Sequence, residues 1–302
     1  MGNVYFRMKT EFIQQAEQLI SELSVIEDRH LLEILAVHSG LKNVMRIHMS
    51  NKEEYRILET FCINNSFHLA HSDFRLKLSW TNEIGDRFYE DVPWEDTSAD
   101  EFIAYFTKND LESLARSISV EREGTHKEAG LLYGYPRCCC ENYESISNGE
   151  EWVDVLSKNS QGTFFSPWSN KLAYLVHGFT LFPDYFPCGY SCASTIELSK
   201  KYFRLGESYN LGSFVKNQFN LMSRTYFVAQ DSIISFEGAK VVNDMLHLST
   251  QNRGVYGKDF TEGFLRDYFT ISLPKENECC FWKWGDSTYR VFVFSDAEDL
   301  KH

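Results

Sequence analysis

The residues of this sequence with the greatest chemical potential are its eight cysteines. Five of them fall in two short stretches that share one plan: a proline-containing turn, then cysteines, then a helix. Sulfurs from two such turns match the four ligands of a tetrahedral zinc site or of an iron–sulfur cluster. We therefore predict one shared metal–thiolate site; buried structural cysteines and a redox-active dithiol are the alternatives. The five are Cys138, Cys139, Cys140, Cys188 and Cys192.

The first stretch places three adjacent cysteines, Cys138 to Cys140, directly after Gly134-Tyr135-Pro136-Arg137. Proline cannot continue a helix interior, so a new helix should begin here with the cysteines in its first turn. Successive side chains on a helix diverge by roughly 100°, so at most two of the three can face one centre. Neighbouring cysteines do not easily form a disulfide, because that bond needs a specific Cβ geometry. The positive end of the helix dipole favours at least one thiolate.

The second stretch is Phe186-Pro187-Cys188-Gly189-Tyr190-Ser191-Cys192. If this turn is helical, the spacing i, i+4 puts Cys188 and Cys192 on one face. If it is not helical, Pro187 and Gly189 form a tight knuckle that still presents two sulfurs. The predicted metal ligands are therefore Cys138, Cys139, Cys188 and Cys192.

The remaining cysteines receive simpler interpretations. Cys62 lies at the apolar end of a helix, where a free cysteine behaves as a small buried hydrophobe. Cys279 and Cys280 lie in a polar stretch and are treated as bystanders, although they could join the site.

Three further residues are candidates for catalysis: His126, Glu128 and His177. His126 and Glu128 precede the first cysteine turn, and His177 ends the helix that leads into the second. Imidazole titrates near neutral pH, so either histidine could act as a ligand or a general base. The competing interpretation of each histidine is a hydrogen-bonded structural residue.

Composition limits the classes of partner and location. The net charge of −13 repels phosphate backbones, and no basic run is interleaved with aromatic residues, so nucleic-acid binding is not expected. The N-terminus lacks the apolar region of a secretory signal, and no apolar stretch is long enough to span a bilayer. We therefore expect a soluble cytoplasmic protein. In that reducing compartment, cysteine clusters more often bind metals or catalyse reactions than form disulfides.

Hydrophobic periodicity predicts a mixed α+β fold in two domains, residues 1–120 and 121–302. The first should be a small α/β unit with a helix over 10–38 and a strand–helix–strand pattern over 45–80. A polar loop over 82–98 and a further helix starting at 98–101 should follow. The second domain should hold the helical cysteine-bearing region, a loop over 147–163, and a β meander over 225–248 with one more strand near 289–294.

The segment from His126 to Tyr143, which contains Gly134-Tyr135-Pro136-Arg137-Cys138-Cys139, resembles a family of uncharacterised bacterial and archaeal proteins. That family has a Gly-Tyr-Pro-x-Cys-Cys element followed by a Pro-Cys-x-x-x-Cys element, here Pro187 to Cys192. The resemblance covers roughly residues 120–250. It implies that Cys138, Cys139, Cys188 and Cys192 are the motif positions and that Cys140 is extra. It implies no activity.

Three functions remain open at this point. The first is an enzyme with a metal–thiolate centre, iron–sulfur or zinc, that acts on a small molecule or peptide in a biosynthetic or modification pathway. The second is an accessory or binding protein in which zinc is structural and which has a protein partner. The third is a metal-free enzyme with a cysteine nucleophile and His126 or His177 as base.

Overall fold

The chain divides into two units by its internal contacts, Met1–Cys140 and Glu141–His302. The predicted domain limit after residue 120 differs from this division and stays a prediction. The division falls inside a continuous helix, after its first turn. The computed structural model describes residues 2–23, 29–81, 87–147, 152–177, 184–229, 232–237, 240–242, 245–249, 253–257, 268–272, 279–284 and 287–295.

The first unit begins with two helices, α1 (Gly2–Glu22) and α2 (Arg29–Ser39). The helix predicted over 10–38 agrees with α1 as far as Glu22 and with α2 from Arg29 onward, and its residues 24–28 lie outside the described residues. The predicted strand–helix–strand pattern is confirmed, because β1 (Met45–Met49) is followed by α3 (Lys52–Asn64) and then by two strands. The α3 N-cap is Asn51, whose side chain accepts hydrogen bonds from the backbone N–H groups of Glu53 and Glu54.

Within the described residues, the first unit has four more strands. β5 lies between β1 and β2 in an antiparallel sheet, and β3 pairs with β4 in a separate hairpin. The loop predicted over 82–98 is wrong where β4 runs, and the helix predicted from 98–101 is wrong because a strand follows. All six residues of that strand are buried, so burial on both faces outweighed the helix-like start signal. The strands are β2 (His68–His71), β3 (Phe74–Thr81), β4 (Arg87–Pro93) and β5 (Phe102–Thr107).

The first unit ends in helices that lead to the cysteines. Asp110 caps α4 (Leu111–Glu123) by accepting a hydrogen bond from the backbone N–H of Ser113. Thr125 caps α5 (His126–Leu132), which stops before Gly134. Gly134 has φ +85°, a left-handed conformation that glycine adopts without strain. Helix α6 (Arg137–Ser147) then begins, so the predicted break and restart are confirmed.

In the part of the second unit that the structure describes, the later turns of α6 are followed by four further helices. The loop predicted over 147–163 is wrong where α7 runs. A short 3₁₀ turn, Pro167–Ser169, precedes α8. The helices are α7 (Trp152–Lys158), α8 (Leu172–His177), α9 (Ala193–Ser208) and α10 (Gly212–Met222).

Two sheets follow, and their facing side chains form one apolar core that includes Phe227, Leu246, Ile271 and Val291. In the larger sheet the strand order is β11-β8-β7-β14-β13, with β6 also paired to β14; in the smaller it is β12-β10-β9. The strands predicted over 225–248 are confirmed, and they form two antiparallel pairs, β7–β8 in the larger sheet and β9–β10 in the smaller. The strands are β6 (Phe164–Phe165), β7 (Thr225–Ala229), β8 (Ser232–Phe236), β9 (Lys240–Val242), β10 (Met245–Ser249), β11 (Arg253–Gly257), β12 (Tyr268–Ser272), β13 (Cys280–Trp284) and β14 (Ser287–Phe294).

The fold is thus a mixed α+β fold, as predicted. Among the described residues, no helix combines the length and the apolar character needed to cross a membrane.

Candidate metal centre

Four sulfur atoms lie within 4.8 Å of one another: those of Cys138, Cys139, Cys188 and Cys192. The Sγ atoms of Cys138 and Cys139 are 3.9 Å apart. Cys139 and Cys192 are buried, whereas Cys138 and Cys188 retain contact with solvent. The structure therefore brings together the four cysteines that were predicted as ligands, and the set can hold a metal ion.

The first cysteine element is the first turn of α6. The carbonyl of Pro136 accepts hydrogen bonds from the backbone N–H groups of Cys139 (2.9 Å) and Cys140 (3.0 Å). These two hydrogen bonds start the helix directly after Pro136. Proline has no backbone N–H, but the first N–H groups of a helix have no partner within the helix, so no hydrogen bond is lost there. Cys138 and Cys139 consequently point into the sulfur cluster as neighbours on one turn.

Cys140 points away from the sulfur cluster and packs against α5. A Cβ atom added to Gly130 would lie only 2.7 Å from the Cys140 sulfur. The Cys140 thiol also donates to the carbonyl of Tyr135 at 3.7 Å. Position 130 therefore requires glycine, because the buried side chain of Cys140 fills the space that a Cβ atom would need. Cys140 packs the start of α6 against α5. The expectation that at most two of three adjacent cysteines face one centre agrees with this arrangement.

The second cysteine element is a turn that precedes α9. Its bonding is i to i+3, since the Cys192 N–H donates to the Gly189 carbonyl at 3.2 Å, and Cys192 itself is the N-cap of α9. The turn is therefore the non-helical knuckle, one of the two geometries expected from the sequence. A Cβ atom on Gly189 would lie 3.2 Å from the backbone oxygen of Asn159, so close backbone approach favours glycine here.

Hydrogen bonds on both sides of Tyr190 fix this knuckle. The Tyr190 N–H donates to Ser160 Oγ at 2.8 Å, and the Tyr190 carbonyl accepts from the hydroxyl of Ser169. Arg290 on β14 donates to the carbonyls of Ser157 and Ser160, which attaches the end of α7 to the large sheet. The position of the knuckle is therefore set by the sheet through the end of α7.

One side chain joins the knuckle to α6 inside the second unit. The amide nitrogen of Asn159 donates to Asn142 Oδ1 at 2.9 Å and to the carbonyl of Cys188 at 3.1 Å. One residue further along α6, the ring of Tyr143 stacks on that of Phe186, with centroids 5.7 Å apart. These contacts hold the second turn of α6 against the knuckle.

Comparisons of this chain with family models, with curated proteins and with solved structures find no match. The case for the site therefore depends on its own geometry.

The predicted catalytic residues on α5 occupy its first turn. Glu128 forms a capping box with Thr125, and its carboxylate accepts from the Thr125 N–H at 2.9 Å. These hydrogen bonds lower the pKa of Glu128 below its usual value. His126 is exposed at the first position of the helix. The structure gives Glu128 a capping role, and catalysis by Glu128 or His126 stays a prediction.

His177 is the last residue of α8 and is partly buried. Its Nε2 atom is buried without a hydrogen-bond partner. Burial lowers the pKa of His177 to about 4, with a further contribution from the positive charge of Arg224. His177 is therefore neutral at pH 7, the protonation state that a general base requires, and its catalytic role also stays a prediction.

The other cysteines remain outside the cluster of four. Cys62 is buried in α3, and burial raises its pKa to about 12, as expected for an inert apolar side chain. Cys280 is buried in β13 within the core between the two sheets. Reasoning from the sequence missed Asn142 and Asn159; the spacing of Asn142 from the first cysteines, three and four residues, was the available signal.

Proposed function

We propose that this chain is a zinc protein in which four thiolates hold one metal ion that joins the start of α6 to the knuckle before α9. The observation that supports this most directly is the mutual approach of four sulfurs to within 4.8 Å. Four thiolates complete the tetrahedral coordination of a structural zinc site. Such a set leaves no open position for a substrate on the metal.

Distances favour a single ion over a cluster. A tetrahedral site with Zn–S bonds of about 2.3 Å separates its sulfurs by about 3.8 Å. The Cys138–Cys139 separation of 3.9 Å is close to that value. In a four-iron cluster each thiolate binds a different iron, which separates the sulfurs by more than about 6 Å. The longest separation here is shorter than this, so zinc is preferred over an iron–sulfur cluster.

The role assigned to the protein is that of an accessory or binding component with a protein partner. Zinc at this site would hold Cys188 and Cys192 in addition to the hydrogen bonds that the knuckle makes through Tyr190 and Asn159. A reducing compartment such as the cytoplasm suits this proposal, because cysteine clusters there more often bind metals than form disulfides. The net charge of −13 argues against a nucleic-acid partner, because negative charge repels the phosphate backbone.

A second candidate is an enzyme that uses a thiolate of this site on a small molecule or peptide. The observation that favours it is the solvent exposure of Cys138 and the partial exposure of Cys188. A thiolate open to solvent is a nucleophile even where its neighbours are buried. Fast alkylation of one cysteine at pH 6–7 in metal-free protein, with turnover of a substrate, would favour this candidate over the first.

Elemental analysis of protein purified without oxygen tests the proposal. We expect one zinc per chain and no visible absorption. Cys139→Ser and Cys192→Ser remove ligands and should lower zinc affinity by more than roughly 100-fold, above the range for residues outside the coordination sphere. Cys140→Ser is the matched control, since it changes the adjacent thiol and should retain one zinc.

Three results would overturn the proposal. Brown protein with stoichiometric iron and sulfide would show that the four cysteines hold an iron–sulfur cluster and not zinc. Protein that is purified without any metal and is nevertheless folded would show that the chain has no structural metal site. Equal zinc loss from Cys140→Ser and Cys139→Ser would show that the ligand set is wrong.

A further inference from the structure

The side-chain amide of Asn142 is satisfied on one side only. Its oxygen accepts the hydrogen bond from Asn159, which fixes the plane of the amide. Its nitrogen, Nδ2, is buried and has no hydrogen-bond partner. A buried amide N–H without an acceptor is unfavourable, and native structures contain few of them. The environment of Asn142 is therefore missing an acceptor.

The position of Asn142 on α6 indicates what that acceptor is. Asn142 follows Cys138 by four residues and Cys139 by three, the two spacings that place side chains on the same face of a helix. Helical side chains lean toward the N-terminus and cover the preceding turn. The unpaired N–H group therefore lies on the side of the helix that carries the two thiols.

We propose that Asn142 is a positioning residue whose Nδ2–H donates a hydrogen bond to a metal-bound thiolate of the Cys138–Cys139 pair. This inference rests on the proposed zinc site. A divalent ion with four thiolates carries a net charge of −2. A thiolate in the loaded site is therefore a much better hydrogen-bond acceptor than a free thiol. Residues that hydrogen-bond metal ligands orient them and adjust the metal.

The hydrogen bond would have two effects that can be separated. It spreads the negative charge of the thiolate, which stabilises the charged site and reduces the nucleophilicity of the sulfur. It also links the metal ligands through Asn142 to Asn159 and so to the Cys188 carbonyl. The first effect depends on the N–H group of Asn142, and the second depends on the amide oxygen as well.

The Asn142→Asp variant separates them. Its carboxylate retains an oxygen that accepts from Asn159, but it replaces the N–H donor by a second acceptor that faces the thiolates. In protein loaded with cobalt(II), the sulfur-to-cobalt charge-transfer band should move to longer wavelength, because the thiolates lose a hydrogen bond. Affinity for cobalt(II) and zinc should fall by roughly 10–100-fold, the range found for residues that support metal ligands.

Three further variants complete the test. Asn142→Ala removes the donor without adding charge, keeps helix propensity, and should shift the band in the same direction. Asn159→Ala breaks the link while leaving the Asn142 N–H in place, so it should lower affinity without moving the band. Asn217→Asp makes the same change of charge at an exposed position of α10 and should alter neither quantity.

The outcomes distinguish this inference from the zinc site itself. If the unmodified chain binds neither zinc nor cobalt, the proposed function fails. If it binds both, but the band stays in place in Asn142→Asp and Asn142→Ala, the inference alone is wrong. A band shift in Asn159→Ala equal to that in Asn142→Ala would also overturn it, because general loosening would then explain the spectrum.

Discussion

The two cysteine elements present the same chemical group on two different backbones. In the first, Cys138 and Cys139 are neighbours on a helical turn, wound onto the Pro136 carbonyl. In the second, Cys188 and Cys192 are four residues apart on a turn that is not helical. The first has the support of a continuous helix, whereas the second depends on hydrogen bonds from residues distant in sequence.

This difference separates two ways of fixing a metal ligand. The helix start is held by close packing, with Gly130 against the sulfur of Cys140. The knuckle is held by polar contacts from Asn159, Ser160 and Ser169. Packing tolerates little change in volume, whereas a hydrogen-bonded turn tolerates little loss of a partner. The two elements should therefore respond to different perturbations.

Removal of the metal should give the largest effect and should fall mainly on the second element. Chelation leaves the α6 backbone bonded along its length but removes the main link between Cys188 and Cys192. We expect amide protection over 188–192 to drop by more than roughly 10-fold, while protection over 139–144 changes less, because exchange follows local opening. Hydrogen exchange with and without chelator measures this. Equal losses in both segments would show that the helix is no better supported than the turn.

Added volume should harm the first element more than the second. Gly130→Ala places a Cβ 2.7 Å from the Cys140 sulfur and should cost about 2–3 kcal/mol of unfolding free energy, within the range for overpacking. Gly189→Ala is the matched change in the knuckle. Its Cβ would lie 3.2 Å from a backbone oxygen, so its cost should be nearer about 1 kcal/mol. Urea unfolding measures both.

A double variant tests whether this cost comes from the predicted contact. Cys140→Ala removes the sulfur that the new methyl group meets, so Gly130→Ala combined with Cys140→Ala should cost less than the sum of the two single changes. Strict additivity would place the strain of Gly130→Ala elsewhere.

Sequence spacing could predict the four ligands because proline turns and helical periodicity are local properties. It could not choose between a helical turn and a knuckle at Cys188, since Ser160 and Ser169, which decide that choice, lie 28 and 19 residues upstream of Cys188. The same limit explains one error in the first unit, since β5 was predicted as the start of a helix and its pairing partner β1 is distant in sequence. β4 pairs with the neighbouring strand β3, and it was predicted as loop because the segment 82–98 is polar and acidic and contains Pro93. Pairing and burial outweighed the local signals there.

Loss of a single hydrogen-bond partner should harm the second element alone. Ser160→Ala removes the acceptor of the buried Tyr190 N–H and should cost about 1–2 kcal/mol, because a buried donor is left unsatisfied. Zinc affinity should fall with it, since Tyr190 lies between the two ligands of the knuckle. Ser208→Ala, at an exposed helix end, is the control and should change neither quantity. Unchanged zinc affinity in Ser160→Ala would show that the metal, and not this bond, fixes the knuckle.

Protonation of His177 should produce the smallest effect of these changes. Burial lowers the pKa of His177 to about 4, below its usual 6.5, so the unfolded chain binds a proton more readily than the folded chain. Stability from this group is present above pH 6.5 and is lost as pH falls toward 4. Between pH 7 and pH 5 the loss should be about 1 kcal/mol after discounting for solvent screening. His177→Gln should remove this part of the pH dependence of urea unfolding, and an identical pH dependence in both proteins would show that His177 is not held neutral by the fold.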